Sequence, residues 1–205
     1  MTKVLLINGS PHEKGCVYTA LSEIVDTLTK ENIETEIFQL GTSPIRGCIA
    51  CKKCYEIGKC IFNDDKCNEL ANEIAESDAI VIGSPVYYAG ANGALCALLD
   101  RTFYSSGKRF AGKLGASIAS CRRGGASATF DRLNKYFTIS NMPIVSSQYW
   151  NSVHGNTPDE VKQDFEGLQT MRTLAKNMAW LLKNIEKAEI PKPEIEKKIA
   201  TNYIR

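Results

Sequence analysis

Short, continuously apolar runs alternate along this chain with segments whose apolar residues recur every three or four positions. Val4-Leu5-Leu6-Ile7 is the first run, closed by the turn signal Asn8-Gly9-Ser10-Pro11. Ala20, Leu21, Ile24, Val25 and Leu28 then follow at helical spacing. Residues 36–40 read as a second strand, and Leu70 with Ile74 marks a helix. Ala79-Ile80-Val81-Ile82 is the clearest buried strand, closed by Gly83-Ser84-Pro85, and Ala94, Leu95, Leu98 and Leu99 line the helix after it. Residues 114–120 give a fourth strand, 126–137 a helix, 144–147 a fifth strand and 158–186 a long final helix. Strands that are apolar throughout, joined by helices, require a parallel sheet covered on both faces. The expected fold is therefore α/β: a doubly wound five-stranded parallel sheet in the order 2-1-3-4-5, with helices on both faces. Such sheets bind ligands beyond the carboxyl ends of their strands, where the strand order reverses. That rule singles out the loops after strands one, three and four.

Composition narrows the function classes. The 205 residues suit one large domain more easily than two. Neither repeat nor linker divides them. With 25 basic residues scattered against 23 acidic ones, there is no Lys/Arg block to engage nucleic acid. No run reaches the roughly 18 apolar residues of a membrane span, and the apolar run at the N-terminus is too short for a signal peptide. A cytoplasmic location is expected. The tail from about residue 187 holds Pro191, Pro193 and many charges, and is expected to be extended or to embrace a partner.

The first loop, Asn8-Gly9-Ser10-Pro11-His12-Glu13-Lys14-Gly15-Cys16-Val17-Tyr18, runs straight into a helix. Backbone N–H groups at a helix N-terminus, with the helix dipole behind them, suit a phosphate. An ordinary glycine-containing turn would read the same. The second loop, Gly83-Ser84-Pro85-Val86-Tyr87-Tyr88-Ala89-Gly90-Ala91-Asn92, offers tyrosine rings and small residues to a flat aromatic ligand. The third, Ser120-Cys121-Arg122-Arg123-Gly124-Gly125, adds two arginines and two glycines at the same end of the sheet.

With Gly9-Ser10-Pro11, Gly15, and Gly83-Ser84-Pro85-Val86-Tyr87-Tyr88 after the third strand, the chain resembles the NADPH-dependent FMN reductase family of flavodoxin-like proteins. The resemblance covers roughly the first 150 residues. It implies that Ser10, His12, Cys16, Val17 and Tyr18 surround the ribityl phosphate of FMN. It further implies that Pro85, Val86, Tyr87 and Tyr88 line the flavin ring, with Ser120, Arg122, Gly124 and Gly125 on its other side. One departure stands out. Cys16-Val17 replaces the family's common Asn-Thr, so a hydroxyl donor is missing and backbone amides, Tyr18 or Thr19 must compensate. The implied activity is an FMN-dependent oxidoreductase carrying electrons from NAD(P)H to a flavin, quinone, azo or similar small acceptor. A homodimer or homotetramer is implied too, because partner subunits in this family complete the pocket. No residue is assigned as catalytic, since the redox chemistry belongs to the flavin.

Four of the eight cysteines fall within thirteen residues, as Cys48, Cys51, Cys54 and Cys60. Their C-x2-C-x2-C-x5-C spacing resembles the compact motif of iron–sulfur flavoproteins, where four thiolates hold a [4Fe–4S] cluster beside FMN. Clustered soft thiolates favour iron–sulfur or zinc over calcium or magnesium. Free thiols packing an insertion at about 41–66 are the alternative. With a cluster, the chain would be an electron carrier exchanging electrons with a ferredoxin-like protein. A flavin-binding module without turnover is the third reading. Cys67, Cys96 and Cys121 lie in helix or strand patterns and read as buried small hydrophobes.

Overall fold

Residues 2–191, 193–197 and 199–201 are described in the computed structural model. Five strands form the parallel sheet: β1 (Lys3–Asn8), β2 (Glu34–Gln39), β3 (Ala79–Tyr87), β5 (Leu114–Cys121) and β6 (Ser152–His154). They lie in the order β2-β1-β3-β5-β6, which is the expected 2-1-3-4-5 once the two-residue β4 (Gly90–Ala91), antiparallel to β3, is set aside. Helices α1 (Cys16–Lys30), α3 (Cys67–Glu76), α4 (Gly93–Ser106), α5 (Ala126–Ile139) and α7 (Phe165–Lys187) cover the sheet, with one-turn helices α2 (Cys54–Ile57) and α6 (Pro158–Val161).

The pleat divides the core in two. Val4 and Leu6 of β1, with Val81 and Ile118, pack under Leu21, Ile24 and Leu28 of α1 and Leu174 and Met178 of α7. Leu5 and Ile7, with Ile80 and Ile82, pack under Leu70 and Ile74 of α3, Leu95, Leu98 and Leu99 of α4, and Leu133 and Phe137 of α5. Both faces of the central strands are therefore dry, which is why β1 and β3 read as unbroken apolar runs.

Three expected boundaries move. Residues 144–147 are not a strand: Ile144 makes one isolated bridge to Gly115, and Val145 N–H donates to the Gly115 carbonyl at 2.8 Å. The chain then bulges from the sheet edge and returns at Asn151, whose carbonyl accepts from Ala119 N–H (2.9 Å) and whose amide donates to the Ser117 carbonyl (3.1 Å). The fifth strand is Ser152–His154, anchored by one apolar residue, Val153. Its apolar signal was too slight to read.

The expected helix over 158–186 breaks between α6 and α7. Asp164 caps α7 by accepting from Gly167 N–H (2.9 Å), while its other oxygen accepts from His154 N–H (2.6 Å). Third, Gly83-Ser84-Pro85 does not end β3, which runs on to Tyr87. Pairing with β1 stops at Asn8 opposite Gly83, so Pro85 sits where no strand on that side needs its missing N–H. The turn comes at Tyr88 and Ala89, with φ of 49° and 59°.

After Lys187 the described tail residues are exposed and outside any helix or strand, while 192, 198 and 202–205 lie outside the described residues. Among the described residues no helix is long and apolar enough to cross a membrane.

Close approach of α5 to β5 depends on Gly115. A Cβ there would stand 2.6 Å from the buried Phe137 ring. Gly115→Ala is expected to lower stability by about 1–3 kcal/mol through overpacking, read as a lower denaturation midpoint. An unchanged midpoint would contradict this packing.

Candidate cofactor site and cysteine pocket

The loops after β1, β3 and β5 meet at the carboxyl end of the sheet. Gly9 N–H donates to the Gly83 carbonyl at 2.8 Å, and the Asn92 amide donates to the Gly9 carbonyl at 2.8 Å. A Cβ on Gly9 would stand 2.4 Å from Leu95 and 2.6 Å from the Gly83 oxygen, so this contact requires glycine. Within the first loop, buried Asn8 accepts from Ser10 N–H (3.2 Å) and donates to Gln39 (2.6 Å), which donates in turn to the Ser10 carbonyl (2.7 Å). Ser10 Oγ accepts from His12 N–H at 3.1 Å. Buried side chains thus set the loop's path, leaving its backbone to face the helix entrance.

Glycine occupies the N-cap of α1 (Gly15) and of α5 (Gly125), so no side chain there accepts from the first-turn N–H groups. Neither helix has an acidic residue in its first turn. At α4, by contrast, Asn92 accepts from Ala94 N–H (3.0 Å). The α1 and α5 entrances, at the carboxyl end of the sheet, suit anionic or carbonyl oxygens of a ligand.

The sequence-predicted residues gather here, with differing exposure. Ser10 and Ser120 are buried, His12 is exposed, Tyr18 is half-buried, and the half-buried Cys16 thiol lies against the Ser120 hydroxyl. Burial pushes that thiol up. Val17 is a core residue packed over Gly83, so only its backbone can face a ligand. Pro85 and Val86 are half-buried, while Tyr87 and Tyr88 stand 45% and 108% exposed. Gly125, at φ +92°, brings the third loop against the second: a Cβ on it would stand 2.7 Å from both Ala89 Cα and Val86 Cγ1. Arg122 and Gly124 are exposed at the rim. Tyr149 and Trp150, with ring centroids 5.0 Å apart, are exposed on the bulge beside β5.

The other constellation lies in the irregular segment between β2 and α3. Cys48, Cys51, Cys54 and Cys60 line one cavity, together with Ile49, Lys52, Ile61, Phe62, Arg101, Tyr104 and Ser105. Ala50 and Lys52 adopt φ of 53° and 58°, winding the backbone so that Ala50 N–H donates to Cys48 Sγ at 3.4 Å. Gly58, at φ 71°, ends α2 and returns the chain toward Cys60. Burial raises the Cys54 thiol, and the neighbouring Cys51, Cys48 and Cys60 add to the rise. All eight cysteines are free thiols; Cys67 and Cys121 are buried as expected, and Cys96 is only half-buried.

Three residues absent from the sequence reading hold this segment. Arg101 of α4 is buried and donates to Cys60 Sγ from Nε (3.3 Å) and Nη2 (3.2 Å). Its Nη1 pairs with the buried Asp65 carboxylate. Asp65 also accepts from Cys67 N–H at 3.1 Å, capping α3. Burial alone would raise the Asp65 carboxyl, but the guanidinium brings it below the usual carboxylate range. Asn68 accepts from Cys60 N–H (3.0 Å) and donates to the Cys60 carbonyl (2.9 Å). The available signal was Arg101 itself, three residues after Leu98 on the apolar stripe of α4.

Among the described residues no three His, Cys, Asp or Glu side chains pack tightly enough for a single metal ion. The four thiols are spread around a shared cavity, with a backbone N–H and a guanidinium donating to two of the sulfurs. That donor set suits a larger, sulfur-ligated, electron-rich group.

Known proteins are similar to this chain in sequence and in fold. An iron–sulfur flavoprotein of Methanocaldococcus jannaschii is 34% identical over 193 residues, covering 90% of this chain and 100% of that protein. In fold, the chain is similar to RosB with a bound 8-demethyl-8-formylriboflavin-5′-phosphate intermediate, at a TM-score of 0.74 and 15% identity, over 100% of this chain and 94% of the other. It is also similar to a flavodoxin from the domain Archaea, at a TM-score of 0.59 and 16% identity, over 89% and 99% of the two chains. Residues 2–157 match the family described as NADPH-dependent FMN reductase, and this chain, a flavodoxin-like FMN oxidoreductase, belongs to that family.

Proposed function

We propose that this protein is an electron carrier of the iron–sulfur flavoprotein type. In this reading FMN occupies the three-loop site, and Cys48, Cys51, Cys54 and Cys60 hold a [4Fe–4S] cluster. The observation that carries it is the convergence of those four thiols on one cavity. The name and full-length match of the M. jannaschii relative add support. Bound FMN supplies one- and two-electron chemistry, and a cluster supplies single electrons at low potential. A ferredoxin-like protein is the proposed partner, and a reducing cytoplasm suits the free thiols.

The chain's part is to bind and orient. The α1 entrance takes the FMN phosphate through the N–H groups of the first loop and helix turn, beside Ser10, His12, Cys16 and Tyr18, with Val17 contributing its backbone. Pro85, Val86, Tyr87 and Tyr88 form one side of the ring site. Ser120, Arg122, Gly124 and Gly125 form the other, where backbone donors can reach the polar edge of the flavin. The exposure of Tyr87 and Tyr88 supports a homodimer or homotetramer whose second subunit covers the ring.

The family description favours a second reading, in which NADPH reduces the flavin and a quinone, azo compound or free flavin reoxidises it. Exposed Arg122 and Arg123 at the rim would then meet the nicotinamide cofactor's phosphates.

An anaerobic mixing experiment separates the two readings. Flavin bleaching is followed after addition of a chemically reduced ferredoxin, or of NADPH, to the parent and to Cys51→Ser. The carrier reading expects rapid reduction by ferredoxin that is steeply slowed in Cys51→Ser, although that variant keeps its FMN. Equal rates in both proteins, with NADPH the faster donor, would favour the reductase. For the ring site, Tyr87→Ala or Tyr88→Ala is expected to weaken FMN binding by about 0.5–1.5 kcal/mol with the apoprotein's melting temperature unchanged. Unchanged FMN affinity in both variants would remove these rings from the site.

A further inference from the structure

Among the described residues, Arg101 is the one strongly basic group buried against a cysteine of the cavity, and the FMN site makes no use of it. Its side chain is 1% exposed, and that of Asp65 4%. Burial of a guanidinium is costly unless its donors are matched. Here the match is specific: Nε and Nη2 both donate to Cys60 Sγ (3.3 and 3.2 Å), Nη1 donates to the Arg46 carbonyl (3.2 Å), and Nη1 also pairs with Asp65. Phe62 closes the arrangement, its ring centroid 5.5 Å from the Arg101 guanidinium carbon and 4.3 Å from that of Arg46. The other three cysteines are exposed or half-buried, and none has a comparable cationic donor among the hydrogen bonds of the described residues. One corner of the site is thus electrostatically unlike the rest.

We propose that Arg101 is a positioning residue which, through Cys60, raises the reduction potential of the centre held by the four cysteines, with Asp65 as the opposing charge that limits the rise. This rests on the cluster reading above. Reduction adds an electron whose charge is shared with the ligand sulfurs. Two donors from a cation on one sulfur stabilise that charge, whereas a carboxylate beside the same cation works against it. Hydrogen bonds to the sulfurs and local charge are the established means by which a protein sets such potentials. Low solvent exposure at Cys60 strengthens both effects, because little water screens them.

The pair makes the proposal testable by sign. Arg101→Lys keeps the charge beside Asp65 and removes the forked donation to Cys60 Sγ. Asp65→Asn keeps the donation, retains an oxygen able to cap α3, and removes the opposing charge. The holoprotein of the parent and of each variant is titrated anaerobically with redox mediators, the cluster being followed by electron paramagnetic resonance and FMN by visible absorbance. Iron per monomer is measured first.

The expected result is a cluster potential shifted negative in Arg101→Lys and positive in Asp65→Asn. Iron content and flavin potential should match the parent in both. Shifts of one sign in both variants, or none in either, would overturn the proposal while leaving the cluster intact. Should Arg101→Lys lose its iron, Asp65→Asn decides alone: a positive shift supports the proposal and an unmoved potential overturns it. A parent that takes up no iron would overturn the cluster reading, and this inference with it, and the iron assay distinguishes that failure from the others.

Discussion

Gly9 and Gly83 touch through a 2.8 Å backbone hydrogen bond, and the geometry of the cofactor site follows from their closeness. The bond ties the exit of β1 to the middle of β3, the two strands flanking the point where the order reverses. Leu95 fills the space beside Gly9 and Val17 the space beside Gly83, so neither position has room for a Cβ. Because the loops are locked at their bases by the core, their outer halves can carry exposed backbone and aromatic rings without losing their course. Asn8, Gln39 and Asn92 satisfy the polar groups buried by this arrangement.

The cysteine segment is attached by different means. Residues 41–66 contain only one short helix, and Ile49, Tyr55, Ile57 and Ile61 remain exposed. Its connection to the core runs through the apolar packing of Ile45, Cys60 and Phe62 together with the Arg101–Asp65 ion pair, the Asn68 hydrogen bonds and the stacking of Arg46 and Arg101 on Phe62. Removing one partner from a buried ion pair costs about 3–5 kcal/mol, so polar contacts here add substantially to the apolar packing of a few side chains. A segment held this way keeps four thiols around one cavity while leaving Cys48 and Cys51 exposed and Cys54 half-buried. Such an arrangement can let a soluble partner approach a redox centre.

Much of this was legible in the sequence, for identifiable reasons. The strand order followed from apolar runs at Val4-Leu5-Leu6-Ile7 and Ala79-Ile80-Val81-Ile82, since only a sheet buried on both faces makes such runs. The three loops followed from where those runs end. The grouping of the four cysteines was legible in their spacing, which left a cluster, zinc and free thiols open. Illegible features depend on contacts distant in sequence. Val153 is the sole apolar anchor of β6, and it becomes a strand residue only because Asn151 is held by β5. The Ser84-Pro85 pair reads as a turn, yet it is strand because β1 has already ended beside it. That the Val17 side chain fills the gap over Gly83, leaving only its backbone toward the helix entrance, was not legible. Arg101 was absent from the sequence reading, because its role depends on Cys60 and Asp65, 41 and 36 positions away.

In the proposed reading one chain carries two redox centres, a flavin over the sheet's carboxyl edge and a cluster on the cysteine segment. Counting cofactors in anaerobically reconstituted protein tests it most directly. It expects about one FMN with about four irons and four sulfides per monomer. Fewer than about one iron per monomer in protein that retains its FMN would contradict it.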